Sequence, residues 1–267
     1  MKKKVLKRVL VTGGGMRLGA AIGETFAHAG WHVLCHYRSG QEEALALCQR
    51  LRQQGHEADT IYADLAKPDD CTVMMTTIAK TWGGLDALVN NASLFIPDTG
   101  RDFEVPQAAE QLQVNLLAPL SLARMMAAMN ATTTGPGTDA CAIHILDQKV
   151  YNLNPDYFSY TVSKLALERA VGLQAQSLAP QVRVCGVAPG LMYLSGPQSA
   201  DNFNRAASAN LLRRPTDPFD VAKTCLFLAS TPSITGTTVT VDNGQHLVPL
   251  PRDIMFVVDD LLKQHAL

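Results

Sequence analysis

The chain has 267 residues, and its 23 Lys and Arg nearly cancel its 24 Asp and Glu, so a net charge of −1 gives no reason to expect a nucleic-acid partner. The length suits a single large α/β core. The apolar stretch after the basic Met1–Lys4 start is too short for a signal peptide, and no run approaches a membrane span.

The predicted elements alternate strand and helix. Arg8–Thr12 is β-branched and aliphatic and reads as a buried parallel strand; a glycine-rich run to Gly19 follows, then a helix over Ala20–Ala29 that stops at Gly30. Next come a strand at His32–His36, a helix at Gln41–Gln54, a strand at Ala58–Tyr62 and a helix at Pro68–Thr81. A strand at Ala87–Asn90 precedes a long helix over Ala109–Met129, with a kink expected at Pro119. After a polar loop at Thr132–Asp139 come a strand at Ala140–Leu146, a helix at Ser159–Leu178 and a strand at Val182–Val187. A helix at Val221–Ala229 and a strand at Thr237–Val241 complete the series. The alternation predicts one domain over 1–267, a Rossmann-type doubly wound parallel sheet with helices on both faces. Residues 191–214 lack periodicity and read as a substrate loop; 245–267 read as a partly apolar C-terminal extension. The six cysteines (35, 48, 71, 141, 185, 225) are scattered, so they read as reduced core thiols of a cytoplasmic protein, and no cluster argues for a metal.

Strand, glycine turn and helix form the first unit of a dinucleotide site: glycines let the backbone approach a pyrophosphate, and the helix N-terminus offers N–H donors. The second strand ends in Tyr37-Arg38-Ser39, with no acid before Glu42. An acid there would bond a ribose 2′-hydroxyl; Arg38, Ser39 and Arg17 instead suit a 2′-phosphate, so NADPH is the expected cofactor. His36 stands near that phosphate or simply ends its strand, and His144 reads as structural.

Tyr160 and Lys164 stand at i and i+4, on one helix face, with Asp147 thirteen residues before Tyr160. An ammonium beside a phenol lowers the cost of phenolate formation, which suits a reaction in which a proton follows hydride.

Thr12–Gly19, Asp64, Asn90-Asn91-Ala92, Asn115, Tyr160-x-x-x-Lys164 and Pro189-Gly190, in that order, resemble the short-chain dehydrogenases/reductases over almost all of the chain to Gly244. The resemblance implies a cofactor cradle of Thr12, Gly13, Arg17, Leu18, Gly19, Tyr37, Arg38, Ser39, Asp64, Leu65, Asn91, Ala92, Ser93, Tyr160, Lys164, Pro189 and Gly190. In it Asp64 lies near the adenine, Asn115 holds a water beside the catalytic Lys164, and Pro189-Gly190 flanks the nicotinamide. It also implies a homotetramer. The departures narrow the resemblance. Arg17 replaces the second motif glycine, Ser93 stands where a glycine is usual, and Asp147 takes the usual serine position. With Phe95, these resemble the pteridine reductases and the dihydromonapterin reductases. By that likeness Phe95 stacks the pterin, Arg17 and Ser93 bond the pterin or a cofactor phosphate, and Asp147 partners Tyr160.

An ionised carboxylate at 147 would repel the oxyanion of a carbonyl being reduced. A pterin C=N needs a proton on ring nitrogen, which a buried acid of raised pKa can supply. The expectation is therefore an NADPH-dependent pterin reductase with Asp147, Tyr160, Lys164 and Asn115 as its catalytic group. The alternatives are a carbonyl reductase of the same family, acting on an oxoacyl, sugar or quinone substrate, and a nucleotide sensor without turnover.

Overall fold

The computed structural model describes residues 6–133, 139–194 and 198–258. The basic start, most of the expected polar loop and the last nine residues of the C-terminal extension lie outside the described residues.

Seven parallel strands form one sheet: β1 (Arg8–Val11), β2 (His32–Tyr37), β3 (Ala58–Tyr62), β4 (Ala87–Asn90), β5 (Cys141–Ile145), β6 (Arg183–Pro189) and β7 (Thr238–Val241), in the order β3-β2-β1-β4-β5-β6-β7. The helices are α1 (Arg17–His28), α2 (Gln41–Gln53), α3 (Pro68–Trp82), α4 (Val105–Leu112), α5 (Ala118–Thr133), α6 (Phe158–Leu178), α7 (Ala200–Ser208) and α8 (Pro218–Ser230).

Alternate residues of each strand face opposite layers. Val9, Val11, Val33 and Val89 pack with Ile22, Phe26, Leu47 and Leu228 on the side of α1, α2 and α8. Leu10, Leu34 and Leu88 pack with Met74, Ile78, Leu122 and Met126 on the side of α3 and α5. The central strands β1, β4, β5 and β6 are apolar over most of their length because both faces are covered. All six cysteines are free and buried.

The expected single helix over 109–129 is two helices, α4 and α5, joined by a π turn at Gln113–Leu117. Pro119 has no N–H to give the Asn115 carbonyl four residues back, and its ring would crowd that carbonyl; the wider turn relieves both. Taken together, Val105–Ala131 is long and apolar enough to cross a membrane by length and composition, contrary to the sequence expectation. Half of its apolar window is buried, with Leu122, Ala123 and Met126 inside the core.

The segment expected to lack regular structure, 191–214, contains α7. The C-terminal extension turns back onto it: Leu250, Ile254 and Val258 pack against Ala206, Leu191 and Ala209 of the same chain. Leu250, Ile254 and Val258 are thereby buried within the chain, while Leu247 and Phe256 stay exposed.

Candidate active site

The carboxyl ends of β1, β2, β4, β5 and β6 open into one cavity of about 520 Å³, as expected at the switch point of such a sheet. At β1, Thr12 lies behind the wall. Its Oγ1 accepts from the N–H groups of Asn91 (2.9 Å) and Ala92 (3.0 Å), so the ends of β1 and β4 are stapled together. Gly13 turns at φ +60, where a Cβ would lie 3.2 Å from the Cα of Ala92. At Gly19 a Cβ would lie 2.1 Å from the Gly13 carbonyl oxygen, so only glycine lets α1 start this close to the loop.

His36 braces the same loop. Gly13 N–H donates to its Nδ1 (3.0 Å), which leaves Nε2 to donate to the Ala63 carbonyl (3.0 Å). Burial lowers its pKa to about 4, against the opposing pull of the Ala63 carbonyl and Asp64, so the ring is neutral at pH 7. Position alone did not disclose this role in the sequence.

Arg17 begins α1 at φ +51, a conformation that glycine adopts without strain. Its guanidinium carbon lies 5.0 Å from the Tyr193 ring centroid and it donates to the Leu194 carbonyl, tying the glycine loop to the 191–214 segment. Arg38 and Ser39 are exposed at the end of β2 and line the cavity, as do Leu18, Tyr37, Asp64, Leu65, Asn91, Ala92, Ser93 and Gly190. A close backbone loop at a helix start, an adjacent cation and hydroxyl, and a long cavity fit an adenine dinucleotide bearing a 2′-phosphate.

At the end of β5, Asp147 divides its carboxylate between two donors. Oδ1 accepts from the Lys149 backbone N–H (2.8 Å) and Oδ2 from the Tyr160 hydroxyl (2.9 Å). Tyr160 comes from α6, whose start is fixed by Asp98: its Oδ1 accepts from Ser159 N–H (3.0 Å) and its carbonyl from Phe158 N–H (3.2 Å). Burial raises the pKa of Asp147, against the Lys149 N–H and ammonium, Tyr160 and Lys164. Burial first, then the charge of Asp147, pushes the Tyr160 phenol well above its usual range. The expected easing of phenolate formation by Lys164 is therefore outweighed. Lys164 turns its Nζ to the Ile145 carbonyl (2.7 Å), and burial brings its pKa down to about 8. The pair at 147 and 160 is thus two weak acids in hydrogen-bond contact at the cavity wall.

Four expected site residues stand behind that wall: Thr12, Asn115, Lys164 and Pro189. Asn115, in the π turn, accepts from Leu94 N–H (2.7 Å) and donates to the Leu94 carbonyl (2.8 Å) and Ser163 Oγ (3.1 Å). It fixes the loop that carries Ser93 and Phe95. Phe95 lines the cavity, but its ring is stacked on Tyr157 at 3.9 Å and lies edge-on to Tyr160 at 4.6 Å, so it is less free as a platform than expected.

The sequence reading missed a polar wall beyond Asp147. Lys149 is buried (3% exposed) and lines the cavity; its Nζ donates to Asn154 Oδ1 (2.8 Å) and Asp253 Oδ2 (3.0 Å). Asp156 receives Arg252 Nε (2.9 and 2.8 Å) and the Asp253 N–H (2.7 Å). These bonds hold the C-terminal segment over the acid end. A lysine in a turn reads as solvated, and its carboxylate partner Asp253 is 104 residues away, so no local pattern discloses the pair.

A family model described as enoyl-(acyl carrier protein) reductase matches residues 15–246. The chain is 30% identical to pteridine reductase 1 of Leishmania tarentolae, over 89% of this chain and 96% of that one. It is 29% identical to 3beta-hydroxysteroid dehydrogenase 1 of Eggerthella lenta, over 91% and 95%. The crystal structure of FolM alternative dihydrofolate reductase 1 from Brucella canis, complexed with NADP, superposes with a TM-score of 0.85 at 34% identity, covering 91% of this chain and 95% of that one. The chain belongs to the short-chain dehydrogenase/reductase family of oxidoreductases.

Proposed function

We propose that this reductase uses NADPH to reduce a dihydropterin to a tetrahydropterin, with hydride added to ring carbon and a proton to ring nitrogen. The observation that carries the reading is the 2.9 Å contact between Tyr160 and an Asp147 whose carboxyl burial raises. An acid that keeps its proton closer to neutrality suits protonation of nitrogen; a carbonyl oxyanion is better served by a neutral hydroxyl. NADPH, when bound, supplies the hydride.

The chain's own residues do the rest. Arg38 and Ser39 at the end of β2 would hold the 2′-phosphate, and the Gly13–Gly19 turn the pyrophosphate. Tyr160 would deliver the proton and Asp147 relay it, while Lys164 sets the field at the phenol and Asn115 holds the Leu94 loop in register. Ser93, Arg17 and Phe95 would border the pterin. The 191–214 segment and the extension from 245 would close over it. A homotetramer in a cytoplasmic setting would use the long helices, where Leu117 in the π turn and Val162 and Leu173 on α6 are exposed.

The test is a substrate panel with NADPH, comparing dihydrobiopterin and dihydromonapterin with simple ketones and a hydroxysteroid/ketosteroid pair. The expected result is turnover of the dihydropterins with kcat/KM at least about a hundredfold above the ketones. Preference for a ketone would make the protein a carbonyl reductase instead.

A further inference from the structure

Lys149 stands two residues after Asp147, and its backbone N–H already donates to Asp147 Oδ1 (2.8 Å). Both residues line the same cavity. A lysine so placed would ordinarily turn its ammonium to the neighbouring carboxylate, and a cation in contact would keep that carboxyl ionised. An ionised Asp147 has no proton to relay. The fold sends the ammonium elsewhere. Nζ donates to Asp253 Oδ2 (3.0 Å) and Asn154 Oδ1 (2.8 Å), and it lies 5.8 Å from the Tyr157 ring centroid. Only 4% of the Lys149 side chain is exposed, so the charge depends on these partners.

Asp253 is itself fixed from behind. Its N–H donates to Asp156 Oδ2 (2.7 Å), and the same carboxyl receives Arg252. Leu250 and Ile254, on either side of it, are buried with Ala206 of α7. Two cations act on Asp147, and each is drawn to another acceptor: Lys149 to Asp253 and Asn154, and Lys164 of α6 to the Ile145 carbonyl (2.7 Å). Tyr160, also of α6, meets the carboxyl as a neutral donor. Burial is then the leading influence on Asp147 and raises its pKa, while the Lys149 N–H and ammonium pull the other way.

We infer that Asp253 is a positioning residue for the reduction: by holding the Lys149 ammonium it keeps that cation off Asp147 and leaves the carboxyl able to carry a proton. The inference rests on the pterin-reductase reading and places control of its acid in the C-terminal segment.

The experiment follows kcat against pH with NADPH and dihydrobiopterin. A reduction that needs the acid form of Asp147 slows as pH rises through the pKa of that group. Asp253→Asn keeps the shape of the side chain and removes its charge. The falling limb should then move about 1–3 pH units lower, because the released ammonium turns to Asp147 and the carboxyl gives up its proton sooner. In Lys149→Met/Asp253→Asn, which removes both charges, the limb should not move lower. Asn154→Ala, at a half-buried position, loosens the same ammonium with Asp253 still in place, and should lower the limb by about half a unit. That variant replaces Asp253→Asn as the test if the latter does not fold. A limb that stays in place, or one that moves as far in the double variant as in the single, overturns the inference. The pair would then only hold the segment, and the pterin reading would stand. If the unmodified protein does not reduce dihydrobiopterin, the function proposed above falls and takes this inference with it.

Discussion

At the β1–α1 turn the cavity is shaped by backbone: Gly13 at φ +60, a Gly19 with no room for a Cβ and a neutral His36 accepting one N–H. At the end of β5 it is shaped by side chains from two parts of the chain: Asp147, Lys149 and Tyr160 from one stretch, and Asp253, which pairs with Lys149 to close the wall, from the C-terminal segment. Backbone geometry makes a site that receives the same cofactor whatever the substrate. Side-chain geometry makes one whose chemistry can change with a single residue. The two ends should therefore fail separately when mutated.

The largest effect falls at the acid end. Tyr160→Phe removes the proton donor and should lower kcat for dihydropterin reduction by about a thousandfold, with NADPH affinity by fluorescence titration little changed. A comparable loss of NADPH affinity would mean that the two ends are not independent. Asp253→Asn leaves a buried lysine without its carboxylate; the side chains of the pair are 4% and 11% exposed. Denaturant unfolding should show a loss of about 3 kcal/mol. Gly19→Ala is the reciprocal test at the backbone end. The clash with the Gly13 carbonyl should weaken NADPH binding by about 2 kcal/mol, or about thirtyfold, while the substrate KM at saturating cofactor is kept. The smallest change is Arg38→Ala, expected to cut the preference for NADPH over NADH by about tenfold in kcat/KM. An unaltered preference would remove Arg38 from the phosphate site.

The same division explains what was legible in the sequence. β3 and β4 begin and end at the residues predicted, because their extent is set by short runs of strand-forming residues between turn residues. The cofactor turn was legible because glycine spacing is a local steric requirement. The start of α1 at Arg17, inside that glycine run, was not, since the sequence motif does not show where the helix takes over. The split of α4 from α5 was foreshadowed by Pro119, but the expectation of a kink does not specify that it takes the form of a π turn. Asp147 was found because it departs from a pattern. Lys149, Tyr157 and Asp253 conform to no pattern; their roles depend on contacts with parts of the chain up to 104 residues away. The tail illustrates the point: apolar composition showed that it must pack, but only the fold showed that it packs on α7 of its own chain.

The central claim is that Asp147 acts as a carboxylic acid in the reduction of a C=N bond. Its pKa in the fold lies above its ordinary value, so the acid form declines as pH rises through that raised value. The most direct measurement is the pH dependence of dihydropterin kcat for the unmodified enzyme and for Asp147→Ser. The account predicts a rate that falls with rising pH in the unmodified enzyme. In the variant that limb should vanish and turnover should drop by about a hundredfold. Unchanged dihydropterin turnover in Asp147→Ser, with the same pH profile, would contradict it.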